Sequence, residues 1–133
     1  MKSILRSGKR RTAIARAIIK EGKGRVFING KPIEIVEPEI VRMKLLEPFY
    51  FLSKKIKEKI DIKVKVKGGG YIGQADAART AIARALLAWT NSEELRLKFL
   101  EYDRHMVVGD PRRREPKHFG GPGARAKYTK SYR

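Results

Sequence analysis

The chain has 133 residues, no cysteine, a formal net charge of +18 and a pI of about 10.5. That length suits one domain, and the absence of thiols excludes disulfides and cysteine-held metals. No apolar run approaches the ~20 residues of a membrane-crossing helix, and the opening stretch MKSILRSGKRR lacks the apolar core of a signal peptide. A cation excess on this scale calls for a polyanionic partner. Its distribution sharpens the point, since residues 1–31 carry +9 and residues 104–133 carry +7, whereas residues 68–103 carry −1. Solubility alone requires no such segregation.

In chain order, residues 12–35 read as strands. Thr12 to Ile19 is alanine-rich and also compatible with helix. Two turn signals favour sheet: Glu21-Gly22-Lys23-Gly24, and then Asn29-Gly30, a pair suited to a two-residue hairpin because both positions accept positive φ. Val26, Phe27 and Ile28 form a short strand between them, and Ile33 and Ile35 alternate with polar neighbours beyond. Two short helices follow, opened by Pro38 and Pro48. Ile40, Val41 and Leu45 share a face in the first; Phe49, Leu52 and Ile56 do so in the second.

Residues 60–67 give the clearest strand, with Ile60, Ile62, Val64 and Val66 on one side and Asp61, Lys63, Lys65 and Lys67 on the other. The lysine side reads first as a solvated face and only second as an RNA contact. Residues 74–89 give the clearest helix, with Ala75, Ala78, Ile82, Leu86 and Trp89 on one stripe. That placement assigns Trp89 to the core rather than to a base-stacking platform. A further helix spans about 92–101, capped by Asn91 or Ser92, with Glu93 and Glu94 at its positive end. After Val108 the remaining 25 residues hold no Ile, Leu, Val, Met or Trp, too little apolar area to offset the entropy of ordering. The expected organisation is a globular RNA-binding domain over residues 1–108 and an extended basic tail over 109–133, disordered when free.

Several motifs bear on function. Gly68-x-Gly70-x-x-Gly73 follows a strand and opens a helix, as a dinucleotide fingerprint does, but no second parallel strand with a terminal acid follows. What remains is a place where an RNA phosphate can approach the backbone from Gly70 through Gly73 to Gln74. Lys9, Arg10 and Arg11, with Arg16 nearby, are assigned to RNA contact. Arg79 is a further candidate, although the sequence leaves open whether it and Arg84 face RNA or acids. Their directions differ by roughly 140°, and Asp76 lies three residues before Arg79, within pairing range. In the tail, Arg112, Arg113, Arg114, Lys117, Arg125 and Lys127 can meet phosphates, and Tyr128 can stack on an unpaired base. Catalysis finds little support, because His105 and His118 are isolated, without metal-ligand spacing or an activated hydroxyl beside them. No cofactor, metal, small-molecule substrate or membrane is expected. A DNA-compacting protein would need a wedge or groove-entering element, and none is evident.

The residues also follow a known pattern. It runs through Gly8-Lys9-Arg10-Arg11-Thr12-Ala13-Ile14-Ala15-Arg16-Ala17 and Gly24-Arg25-Val26-Phe27-Ile28-Asn29-Gly30, then Gly73-Gln74-Ala75 and Ile82-Ala83-Arg84-Ala85-Leu86. It ends in Asp110-Pro111-Arg112, Arg114-Glu115-Pro116-Lys117, Phe119-Gly120-Gly121-Pro122-Gly123-Ala124-Arg125 and Lys130-Ser131-Tyr132-Arg133. Over nearly its whole length the chain resembles the family of the ninth protein of the small ribosomal subunit, in its archaeal and eukaryotic form. His118 stands where that family has a lysine, and Tyr128-Thr129 where Arg-Gln is common. The resemblance implies an α+β two-layer sandwich, with an about four-stranded sheet backed by helices and a long basic carboxyl-terminal tail. It implies a structural, non-enzymatic protein of the cytoplasmic ribosome that binds small-subunit rRNA in the head, beside neighbouring head proteins. It further implies that the tail reaches the peptidyl-site tRNA, with Arg133 at the anticodon-stem-loop backbone and Lys130 as a second contact.

Overall fold

Small side chains on one face of a sheet and long ones on the other set the architecture. The computed structural model describes residues 2–112 and 115–126. Its strands are β1 (Ser3–Arg10), β2 (Ala13–Glu21), β3 (Val26–Ile28), β4 (Lys31–Pro32) and β5 (Ile60–Lys67), in the spatial order β1-β2-β5-β3-β4. Of the pairings between these strands, only β3–β5 is parallel. The helices are α1 (Glu39–Leu46), α2 (Lys54–Lys57), α3 (Tyr71–Thr90) and α4 (Glu93–Tyr102), with 3-10 turns at Ile33–Ile35, Glu47–Phe51 and Arg104–Met106. The result is the α+β two-layer arrangement expected, a sheet backed by helices.

The long helix α3 lies against β1, β2 and β5. Its approach is close because the inward residues of β2 are Ala13, Ala15 and Ala17, while α3 turns Ala77, Ala78 and Ala81 inward; all six are buried. Gly8 of β1 completes this seam, since a Cβ there would collide with the Ala77 carbonyl and the Ala81 amide. Larger side chains fill the space around it: Ile19 and Ile62 from the sheet, Ile82 and Leu86 from α3, Leu45 from α1 and Phe99 from α4. Burial of apolar area on this scale is the main stabilising term.

The alternation in β5 is as expected, with Ile60, Ile62, Val64 and Val66 buried and the lysines exposed. Thr12 to Ile19 is strand rather than helix from Ala13 onward, and Asn29 and Gly30 both take positive φ, 51° and 83°, at the hairpin. The sheet has five strands rather than about four. The expected strand at Ile33 and Ile35 is confined to Lys31–Pro32, with Ile33–Ile35 in a 3-10 turn. The additional strand, β1, carries no apolar alternation to announce it; Leu5, Arg6, Ser7 and Lys9 are exposed and only Gly8 is buried. The segment after Pro48 divides into the 3-10 turn and the four-residue α2 instead of one helix. In α1, Val41 and Leu45 are buried but Ile40 is exposed. Helix α3 begins at Tyr71, earlier than the apolar stripe suggests, with the Gln74 amide donating to the Gly70 carbonyl at 2.9 Å. Of the two candidate caps, Asn91 ends α3 in the left-handed region and Ser92 caps α4, its Oγ accepting from the Leu95 amide at 3.2 Å. Trp89 is half-buried and packs on the core, with Lys2 Nζ 4.7 Å from its ring centroid.

Candidate nucleic-acid interface

Three groups of cations occupy distinct environments. The first surrounds the start of α3. Arg11, at φ 53°, turns the chain between β1 and β2, and Gly68 and Gly69, at φ 80° and 68°, return it from β5 beside Thr12. Between them lies an open recess of about 460 Å³ whose walls include Arg10, Arg11, Thr12, Gly70 and Gly73. No carboxylate stands in the first turn of α3 and no side chain caps it, so the leading N–H groups lack an intramolecular side-chain partner. Gln74 Nε2 donates to the Gly68 carbonyl at 3.1 Å and steadies the loop. The structure therefore brings Arg10, Arg11, Gly70, Gly73 and Gln74 into one neighbourhood. Asp76, also on its wall, is engaged by Lys44 Nζ at 2.9 Å.

The second group faces inward. Arg79 Nη1 donates to Glu47 Oε2 at 2.6 Å and its Nη2 to Asp103 Oδ2 at 2.9 Å, with Asp76 at 4.0 Å. Its side chain is only 11 % exposed. Burial opposes the charge, but the Glu47 hydrogen bond and the fields of Glu47, Asp103 and Asp76 outweigh it and hold the guanidinium more firmly protonated than usual. Of the two alternatives the sequence left for Arg79, RNA or acids, the structure shows acids. Arg84 meets no carboxylate among the described residues: its Nε donates to the Val107 carbonyl at 2.8 Å and its Nη1 to the Ser7 carbonyl at 2.9 Å. It thereby ties β1 and the segment after α4 to α3.

Asp110 is a residue that sequence reasoning missed as a functional position. Arg10 and Asp110 form an isolated parallel β-bridge, and Arg10 Nη1 lies 2.8 Å from Asp110 Oδ2. Arg112 clasps the same carboxylate through Nε at 2.9 Å and Nη2 at 2.6 Å. The Arg112 hydrogen bond, aided by Arg10, holds the Asp110 carboxyl well below the usual carboxylate range. The signal available was an acid among many cations: residues 104–133 contain only Asp110 and Glu115. Both are paired, for Arg125 Nη2 meets Glu115 Oε1 at 3.0 Å. A bond from the His118 amide to the Gly123 carbonyl, 3.1 Å, closes the intervening turn, and Lys117 and Phe119 are exposed.

The third group lies on the outer face of the sheet. Lys9 and Arg16 sit there, exposed, two strands of one surface, whereas Arg10, adjacent to Lys9, alternates inward. Arg113, Arg114, Lys127, Tyr128, Lys130 and Arg133 lie outside the described residues. Among the described residues no cluster of three or more His, Asp or Glu could hold a metal, and no described helix is long and apolar enough to cross a membrane.

Comparison with known proteins matches residues 8–133 to the family described as ribosomal protein S9/S16. The chain is 53% identical over 133 residues, the whole of both proteins, to the small ribosomal subunit protein uS9 of Methanothrix thermoacetophila. It is 54% identical over 127 residues, 96% of each, to the protein of the same name from Halobacterium salinarum.

Proposed function

The chain belongs to the ribosomal protein S9/S16 family, structural constituents of the small ribosomal subunit, and we propose from this premise that it binds small-subunit rRNA in the head and extends its tail to the peptidyl-site tRNA. The observation that carries the reading is the family match over residues 8–133, which includes the basic carboxyl-terminal stretch to Arg133. The rRNA contacts in this reading are Lys9, Arg11 and Arg16, the backbone from Gly70 through Gly73 to Gln74, and the tail cations Arg112, Arg113, Arg114, Lys117, Arg125 and Lys127, with Tyr128 stacking on a base. Arg10 and Arg79 hold the surrounding chain through Asp110, Glu47 and Asp103. Arg133 and Lys130 meet the tRNA backbone. The globular part corresponds to residues 1–108 and the tail to 109–133.

The physics is electrostatic. Lys and Arg displace counterions from phosphates, so affinity falls steeply with salt, and folded RNA is recognised mainly by shape. Removal of Arg133 alone tests the finest part of the reading. A charge-assisted hydrogen bond to phosphate contributes about 1.5–3 kcal/mol, so tRNA held in the peptidyl site should loosen by about tenfold or more while incorporation into the subunit stays intact. Equal tRNA affinity with and without Arg133 would defeat the tail contact. Failure of the intact chain to remain with small subunits through a high-salt wash would defeat the reading as a whole.

A further inference from the structure

Seen along β5 alone, Lys63, Lys65 and Lys67 resemble any solvated strand face. The register across three strands gives them company. Lys67 stands opposite Ile14, which stands opposite Lys9; Lys65 stands opposite Arg16; Lys63 stands opposite Ile18, which stands opposite Leu5. With Lys20 these make six exposed cations on one face of β1, β2 and β5. Two carboxylates border this face at its Lys20 end, Glu21 and Asp61, and Asp61 accepts hydrogen bonds from the Lys23 and Arg25 amides and pairs with Arg25 at 3.0 Å. Burial opposes its charge, and these bonds overcome that and hold it ionised. Asp61 and Glu21 both stand beyond Lys63, at the end of the face away from Arg16 and Lys65.

Two features set this face apart from ordinary solvation. Arg16 and Lys65 are direct cross-strand neighbours in the middle of the sheet, and like charges so placed destabilise a sheet. Among the described residues neither has a carboxylate partner, which leaves the pair open to an external anion. The cations are also interleaved with exposed aliphatic residues: Leu5, Ile14 and Ile18 are 55%, 43% and 38% exposed. The face is poor in stacking platforms, since Phe27 is its aromatic residue among those described and is half-buried. Single-stranded RNA is gripped by aromatic faces on which bases stack. A cationic and aliphatic sheet instead suits the wide, shallow minor groove of an A-form duplex and the phosphates on either side of it.

We propose that the outer face of β1, β2 and β5 is a docking surface for double-helical RNA, with Arg16, Lys63, Lys65 and Lys67 on phosphates and Ile14 and Ile18 against the sugar edge. The inference rests on the reading of the chain as an rRNA-binding protein and specifies the surface and the form of RNA. Recognition here follows groove shape and phosphate spacing rather than base identity.

The test is the full chain carrying Arg16→Gln, Lys63→Gln and Lys65→Gln together, compared with wild type on a mixed-sequence RNA duplex and on a single strand of the same length. Melting curves of the free proteins first establish that both fold. The variant should lose at least tenfold in duplex affinity at moderate salt, and the plot of log K against log salt should become shallower by about two to three units, one per lost phosphate contact. An unchanged slope in a folded variant overturns the proposal, as does tighter binding of the wild type to the single strand. In isolated small subunits, Lys63 and Lys65 should resist acetylation and lose that protection after ribonuclease digestion. Protection that survives digestion would assign the face to a protein neighbour and overturn the proposal. Retention of the wild-type chain by salt-washed subunits tests the parent reading separately.

Discussion

The arginines of α3 and the lysines of β5 carry the same formal charge in opposite circumstances. Arg79 is enclosed by Glu47, Asp103 and Asp76, and Arg84 by the carbonyls of Val107 and Ser7. Lys63, Lys65 and Lys67 point away from the core and form no ion pair among the described residues. The difference separates cations that hold the fold from cations that remain open to a partner. Net charge alone cannot make that separation, because it counts both kinds equally.

Four measurements would break or sharpen the contrast. The largest effect is expected from Arg79→Met. Removing one member of a buried ionic cluster leaves its carboxylates uncompensated, and urea unfolding should show a loss of about 3–5 kcal/mol. Arg84→Met strands two carbonyl groups and should lower stability by about 1–3 kcal/mol in the same assay. Asp110→Asn comes next. Asp110 has its carboxyl depressed in the fold by Arg112 and Arg10, so its contribution is fully present above the ordinary aspartate value of about 3.9 and fades as pH falls from there through the native value. The stability gap between wild type and Asp110→Asn should therefore be flat around neutrality and close in acid; a gap that widened in acid would have the wrong sign. Lys65→Gln should change stability least, within about 0.5 kcal/mol, and a small gain is consistent with relief of its repulsion by Arg16. A large loss would place Lys65 with the arginines.

Much of the fold was legible from side-chain period. The strict alternation of β5 and the apolar stripe of α3 are each set by burial on one side, and a pattern imposed by burial can be read without a structure. The Asn29-Gly30 hairpin was legible for a different reason, as positive φ restricts the residues that serve there. β1 was not, because an edge strand with one buried glycine presents no period; its pairing with β2 and its seam with Ala77 and Ala81 are tertiary facts. The interface was legible in composition and only partly in position. Lys9 and Arg16 were named without the surface they share, since that surface depends on the β1–β2 and β2–β5 registers. Arg79 and Arg84 could be told apart only once Glu47 and Asp103, distant in sequence, were seen beside one of them.

The sheet order has a bearing on how the chain is made. Among the described strands β5 is the last to leave the synthesising machinery and the one that stands between β2 and β3. A nascent chain halted before Ile60 owns two hairpins with nothing to join them, and the alanine side of β2 waits for a helix that ends at Thr90. Structure can thus lock only after more than half of the polypeptide has emerged, which leaves the highly charged first third waiting in an unfinished state.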